Sequence, residues 1–154
     1  MLVITDGYCD RLVVTRTHAF LKAFPAAYFH VFPYSSRRST IAAGLADQVP
    51  GVVKKSRARR MRQLGTRKKL EFYAKFVGQQ AAVLVEDKID HTSGMQRGFT
   101  RNYLPVALID TAKFTNREVN VRLDRLGNGC LMGSVSKGDL RSNMDDSSYV
   151  ARSA

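Results

Sequence analysis

Near Gly78 the hydrophobic pattern changes period, from about 3.6 residues to 2, and this switch confines the chain to an α+β layout with its helical and sheet parts separated along the sequence. Residues 52–77 contain no Pro and a single Gly, Gly65. Val53, Met61, Leu64, Phe72 and Phe76 recur there at helical spacing as a narrow apolar stripe, which predicts a long helix. After Gly78, alternation predicts strands over residues 79–86, 95–100, 104–109, 118–126 and 130–134. Turn-rich pieces such as His91-Thr92-Ser93-Gly94 and Gly127-Asn128-Gly129 divide them. Five short strands in so little chain predict a small, closed or nearly closed antiparallel barrel of the OB-like kind that binds oligonucleotides.

Charge points to the partner of the helix. Lys54, Lys55, Arg57, Arg59, Arg60, Arg62, Arg67, Lys68, Lys69 and Lys75 face only Glu71 as counter-charge within it. They repel one another unless a polyanion neutralises them, so Lys54, Lys55, Arg57, Arg59, Arg60 and Arg62 are the candidate phosphate contacts. The whole chain carries 25 Lys plus Arg against 13 Asp plus Glu, a net +12. The barrel region, with seven Lys plus Arg against six Asp plus Glu, is nearly neutral, so the helix must supply most of the attraction. No apolar run approaches the roughly 18 residues of a membrane span, and the basic stretch has few large apolar residues to sink into lipid, which sets membranes aside as partners.

Upstream, Asp10 can cap a helix carrying Leu12, Val13, Ala19, Phe20 and Ala23, which Pro25 ends. Residues 26–32 are apolar on both alternating faces and predict a strand buried on both sides in a parallel sheet. One strand cannot make such a sheet, so the segment reads as the last unit of something larger. Residues 33–50 read as loop, and residues 136–154, small and polar, as a disordered tail. Asp6, Asp10, Arg11 and Arg16 interrupt the amino-terminal apolar residues, so no signal peptide is expected and the location reads as cytoplasmic. Cys9 and Cys130 have neither disulfide-framework nor metal-ligand spacing and read as reduced thiols. His18, His30 and His91 are too scattered for a metal site or a triad, and His30 reads as a core histidine. No Gly-rich phosphate loop, nucleophile elbow or zinc spacing is present, and no catalytic or metal-binding residue is assigned.

The run His30-Val31-Phe32-Pro33-Tyr34-Ser35-Ser36-Arg37, then Thr40, Ala42-Ala43 and Gln48-Val49-Pro50 before the basic helix, resembles the end of the radical S-adenosylmethionine barrel in tRNA methylthiotransferases. Arg97-Gly98-Phe99-Thr100-Arg101-Asn102-Tyr103-Leu104-Pro105-Val106 is similar to the TRAM domain of those enzymes. Within the family, the two runs look most like the branch acting on threonylcarbamoyladenosine beside the anticodon. The resemblance implies a terminal remnant of a TIM-like barrel over residues 1–50, a connecting helix over 51–77, a TRAM barrel over 78–135 and a tail over 136–154. It implies a carboxy-terminal fragment that binds the tRNA anticodon stem-loop, with the missing catalytic part of the enzyme as a further partner. A TRAM protein binding RNA generally, without an enzymatic role, and a fragment of the isopentenyladenosine-type enzyme are the alternatives.

The family uses S-adenosyl-L-methionine and 4Fe-4S clusters held by a Cys-x-x-x-Cys-x-x-Cys motif and three further cysteines. This chain has neither set, so no cofactor is expected for it alone and it is expected to be catalytically incompetent by itself. The family's Arg-Pro-Gly-Thr-Pro-Ala is replaced by Arg37-Arg38-Ser39-Thr40-Ile41-Ala42, and Pro and Gly fix turns that Arg and Ser do not. Residues 1–17 have no counterpart motif and read as a divergent or frameshifted start. The resemblance places Tyr34, Ser35 and Arg37 near S-adenosylmethionine or the target nucleoside; without the rest of the barrel, an orphaned turn is the favoured reading. On the barrel, Arg97, Arg101 and Asn102 can hydrogen-bond to phosphates or base edges. Phe99 and Tyr103 are either core aromatics or, for one of them, a platform for an unpaired base.

Overall fold

The computed structural model describes residues 2–5, 11–46, 48–89, 93–109, 111 and 114–136. The expected Asp10 cap, the turn at His91 and Thr92, Cys9 and the tail beyond Ser136 lie outside them. The chain divides into two compact units, Met1–Phe72 and Tyr73–Ala154.

In the first unit β1 (Leu2–Thr5) pairs in parallel with β2 (His30–Pro33), Leu2 opposite His30 and Thr5 opposite Pro33. Three helices accompany them, α1 (Arg11–Ala23), α2 (Ile41–Gly44) and α3 (Gly51–Ala74). Leu21, Phe29, Met61 and Leu64 form the core, with Val14 and Val31 packed against it. On α3 the buried stripe is Ala58, Met61 and Leu64 with Gly65, positions three or four apart on one face. Val53 lies off that stripe at 37% exposure. On α1 the expected apolar face is corrected. Val14 and Leu21 turn inward, while Val13 and Phe20 are exposed, because a helix with apolar residues on several sides buries whichever face meets Met61 and Leu64. Pro25 follows the end of α1, and Lys68 Nζ donates to the carbonyls of Lys22 (3.2 Å) and Phe24 (2.8 Å), a cation on the negative end of the helix.

The expectation for residues 26–32 is also corrected. Alternation turns Phe29 and Val31 toward the core, but Tyr28, His30 and Phe32, offset by one position, are exposed. Helices cover one face of the strand, and among the described residues nothing covers the other. His30 is therefore no core residue.

The second unit is a closed barrel in the order β3-β4-β5-β7-β6, from β3 (Gln80–Ile89), β4 (Gln96–Thr100), β5 (Pro105–Leu108), β6 (Glu118–Gly127) and β7 (Cys130–Val135). Four seams are antiparallel as expected. The fifth, β5 with β7, is parallel, because β7 returns from the β6 hairpin to lie beside β5 in the same direction. Val83, Val85, Val106, Leu108, Val119, Val121, Leu123 and Leu131 fill the interior, each worth about 1.5–3 kcal/mol on burial. Buried Gln96 donates to the Glu86 carbonyl and to Thr115 Oγ1, both at 2.8 Å, and accepts from Thr111 Oγ1 at 3.0 Å. Gly98 permits the close approach of β3 and β4, since a Cβ there would stand 2.7 Å from Val83 Cγ1 and 2.8 Å from the Leu84 carbonyl oxygen. The β6–β7 turn places Asn128 (φ 49°) and Gly129 (φ 78°) in the left-handed region, as a two-residue type I′ hairpin requires.

Candidate nucleic-acid interface

The cations of α3 do not form one undivided surface. Lys55, Arg59 and Arg62, spaced by four and three residues, stand on one flank of the buried stripe and line an open groove of about 590 Å³ with Gln63 and Thr66. A second groove, of about 380 Å³, runs beside it, where Arg62, Thr66 and Lys69 meet Tyr28 to Phe32, the segment that leads into β2 and its first residues. Gly65 seats that strand: a Cβ there would stand 3.3 Å from the Phe29 ring and 3.4 Å from its carbonyl oxygen, so a side chain would push strand and helix apart. Arg60 and Arg67 act on α1 instead. His18 is held below its ordinary pKa of 6.5 by burial first, then by Arg60, Arg67 and Lys22. Lys54 is engaged over the Tyr34 ring, 5.5 Å from its centroid, and Arg57 is half-buried and already partnered. Of the six expected phosphate contacts, Lys55, Arg59 and Arg62 are brought together.

On the barrel, Arg97 and Phe99 lie on β4, Arg97 exposed and Phe99 half-buried. Arg101, Asn102 and Tyr103 form the β4–β5 loop. Tyr103 N–H donates to the Thr100 carbonyl (2.9 Å), Thr100 N–H to the Leu104 carbonyl (3.1 Å), and Leu104 N–H to Thr100 Oγ1 (2.9 Å). The Thr100 hydroxyl in turn donates to Asn102 Oδ1 at 2.6 Å. This bonding holds Tyr103 at φ 60°, where a bulky side chain costs roughly 1–3 kcal/mol, and leaves it 84% exposed. Tyr103 is therefore no core aromatic. Arg101 is tied to Glu118 by two hydrogen bonds of 2.7 and 3.0 Å, so its guanidinium is shared with a carboxylate whose pKa the pairing lowers.

Tyr34 turns its hydroxyl inward, where it is buried without a hydrogen-bond partner, while Ser35 and Arg37 are exposed. In the loop that follows, Ser39 sits at φ 72°, at the position of the family motif's Gly. Ser39 thus adopts a left-handed backbone that glycine would adopt without penalty. An iron-sulfur cluster held by three thiolates does not fit, because the whole sequence contains two cysteines. Among the described residues no three His, Cys, Asp or Glu side chains gather into a metal site, and no helix is long and apolar enough to cross a membrane. Sequence reasoning missed Tyr28, His30 and Phe32 as surface residues. Their alternation with Phe29 and Val31 was the available signal, hidden because both sets are largely apolar.

No family model matches the chain. Among curated proteins it is 37% identical over 90 residues to a threonylcarbamoyladenosine tRNA methylthiotransferase of Aquifex aeolicus, covering 58% of this chain and 20% of that protein. The corresponding protein of Bacillus subtilis is 30% identical over 113 residues, 72% of this chain and 25% of that protein. A tRNA-2-methylthio-N(6)-dimethylallyladenosine synthase of Moorella thermoacetica is 34% identical over 107 residues, 70% of this chain and 24% of that protein. The chain thus spans about a quarter or less of the length of these relatives.

Proposed function

We propose, from the premise that this chain is a relative of the tRNA methylthiotransferases, that it is a tRNA-binding module directed at the anticodon stem-loop. The α3 face of Lys55, Arg59 and Arg62 tracks phosphates, and Tyr103 stacks on an unpaired base. One observation carries this reading: a large aromatic side chain, 84% exposed, is held in a costly backbone conformation by a loop whose hydrogen bonds converge on Thr100. Strain of that kind persists where the surroundings enforce it, and it presents the ring to a ligand. With tRNA as partner, the place of action is the cytoplasm.

The modification served is 2-methylthiolation of N6-threonylcarbamoyladenosine next to the anticodon. The threonylcarbamoyladenosine relative of Aquifex aeolicus, 37% identical over 90 residues, supports this reading, while that of Bacillus subtilis and the dimethylallyladenosine synthase of Moorella thermoacetica are 30% and 34% identical. Chemistry is assigned to residues other than those of this chain, whose two cysteines cannot hold a three-thiolate cluster. The test compares an anticodon stem-loop with a plain duplex. Changing Tyr103 to Leu should cost roughly 1–3 kcal/mol on the stem-loop alone and leave the salt slope unchanged. Equal losses on both RNAs with an intact melting transition would sink the stacking role.

A further inference from the structure

The face of β2 that no described residue covers is unlike an ordinary sheet surface. His30 and Phe32 on β2, and Tyr28 just before it, alternate on one side of the chain, with Tyr28 49% and Phe32 55% exposed. Their rings form a continuous ladder. Tyr28 meets His30 edge-on at 5.5 Å between centroids, and His30 stacks on Phe32 at 6.4 Å with 30° between planes. Isolated exposed apolar side chains need no explanation, but three aromatic rings in register do. The same groove is bordered by Arg62, Thr66 and Lys69, and Arg62 also borders the cationic groove of Lys55 and Arg59.

We infer that this ladder is a second RNA site, which binds unpaired nucleotides by stacking bases on Tyr28, His30 and Phe32 while Lys55, Arg59 and Arg62 hold the adjoining phosphates. Charge complementarity selects this occupant. A run of exposed aromatic rings beside a row of cations is the arrangement that takes single-stranded nucleic acid without strong sequence preference. An apolar protein partner would leave these cations without counter-charge. The spacing also suits the ligand. Strand positions two apart lie roughly 6.5–7 Å from each other, near the distance between successive bases of an extended strand, so neighbouring bases can each meet a ring. Gly65 contributes indirectly, by bringing the ladder close enough to α3 for one strand of RNA to touch both. The inference rests on the RNA-binding reading above and adds a site on a different unit from Tyr103, one that needs no folded stem-loop.

The test uses the full chain, a short unpaired oligoribonucleotide containing 2-aminopurine, and the same sequence in a duplex. Bases stacking on the ladder should quench the 2-aminopurine fluorescence on binding. The double variant Y28L/F32L, at two exposed positions, should keep the melting transition. It should weaken single-strand binding roughly 5- to 150-fold for each base that no longer stacks, with an unchanged salt slope and little effect on the duplex. The Tyr103→Leu variant should keep the quench, which separates the two sites. Unchanged single-strand affinity in Y28L/F32L, with stem-loop binding intact, would overturn this inference and leave the module reading standing. Wild-type protein that binds no RNA at low salt would overturn both. A self-associating wild type that Y28L/F32L renders monomeric would assign the face to a second copy of the chain and overturn the inference too.

Discussion

Tyr103 is the residue at which stability and the proposed function meet most directly. At φ 60° it occupies a position that glycine fills without penalty, and the Thr100 hydrogen bonds keep it there. Replacing it with Gly should relieve the strain and, after subtracting glycine's extra unfolded-state entropy, stabilise the barrel by about 1 kcal/mol. The same change should weaken stem-loop binding. Thermal melting and a binding isotherm on one sample check both halves; a variant that is less stable would show that the tyrosine contributes packing. The sequence placed Arg97, Phe99, Arg101, Asn102 and Tyr103 in one candidate site, yet it could not separate their roles. Exposure and left-handed backbone depend on where Thr100 sends its side chain, and the charge of Arg101 is shared with Glu118, seventeen positions away. Neither fact has a signature in local pattern.

At the scale of elements, α3 was legible as a helix because its period is helical over many turns, and the observed Gly51–Ala74 differs from the expected span by a few residues at its ends. What its cations do was not legible. Lys68 caps α1, Arg60 and Arg67 act on His18, and Lys55, Arg59 and Arg62 line the groove, a division set by which side of the helix each neighbour packs. His18 reports on that division. Its folded pKa lies below the ordinary 6.5, so the unfolded state binds the extra proton first as pH falls. The stability tied to its neutral form is complete above about 6.5 and is lost as pH falls through the folded value. If RNA phosphates neutralise Arg60 and Arg67, their share of the depression disappears and the His18 pKa rises on binding. An NMR titration of the imidazole with and without duplex RNA measures it. An unchanged pKa would place this flank of α3 away from the RNA.

For the whole molecule, the switch of period near Gly78 foretold helices before it and a barrel after it, and all five barrel strands fall where alternation put them. The parallel β5–β7 seam was not legible, because alternation fixes which face of a strand is buried but not which neighbour it pairs with. The exposed side of β2 was missed for a related reason: apolar residues on both faces predict two covers, and the described residues supply one. Composition is the basis of the proposed partner, since a net charge of +12, most of it on one helix, calls for a polyanion. The central claim is that the Lys55, Arg59 and Arg62 face of α3 provides the electrostatic part of RNA binding. Its most direct test is the affinity for an anticodon stem-loop measured across a range of salt concentrations, for the wild type and for the triple variant K55Q/R59Q/R62Q. The account predicts weaker binding by the variant and a slope of log K against log salt shallower by roughly 0.7–0.9 for each phosphate that the variant leaves unneutralised. An unchanged slope and equal affinity at low salt would contradict it.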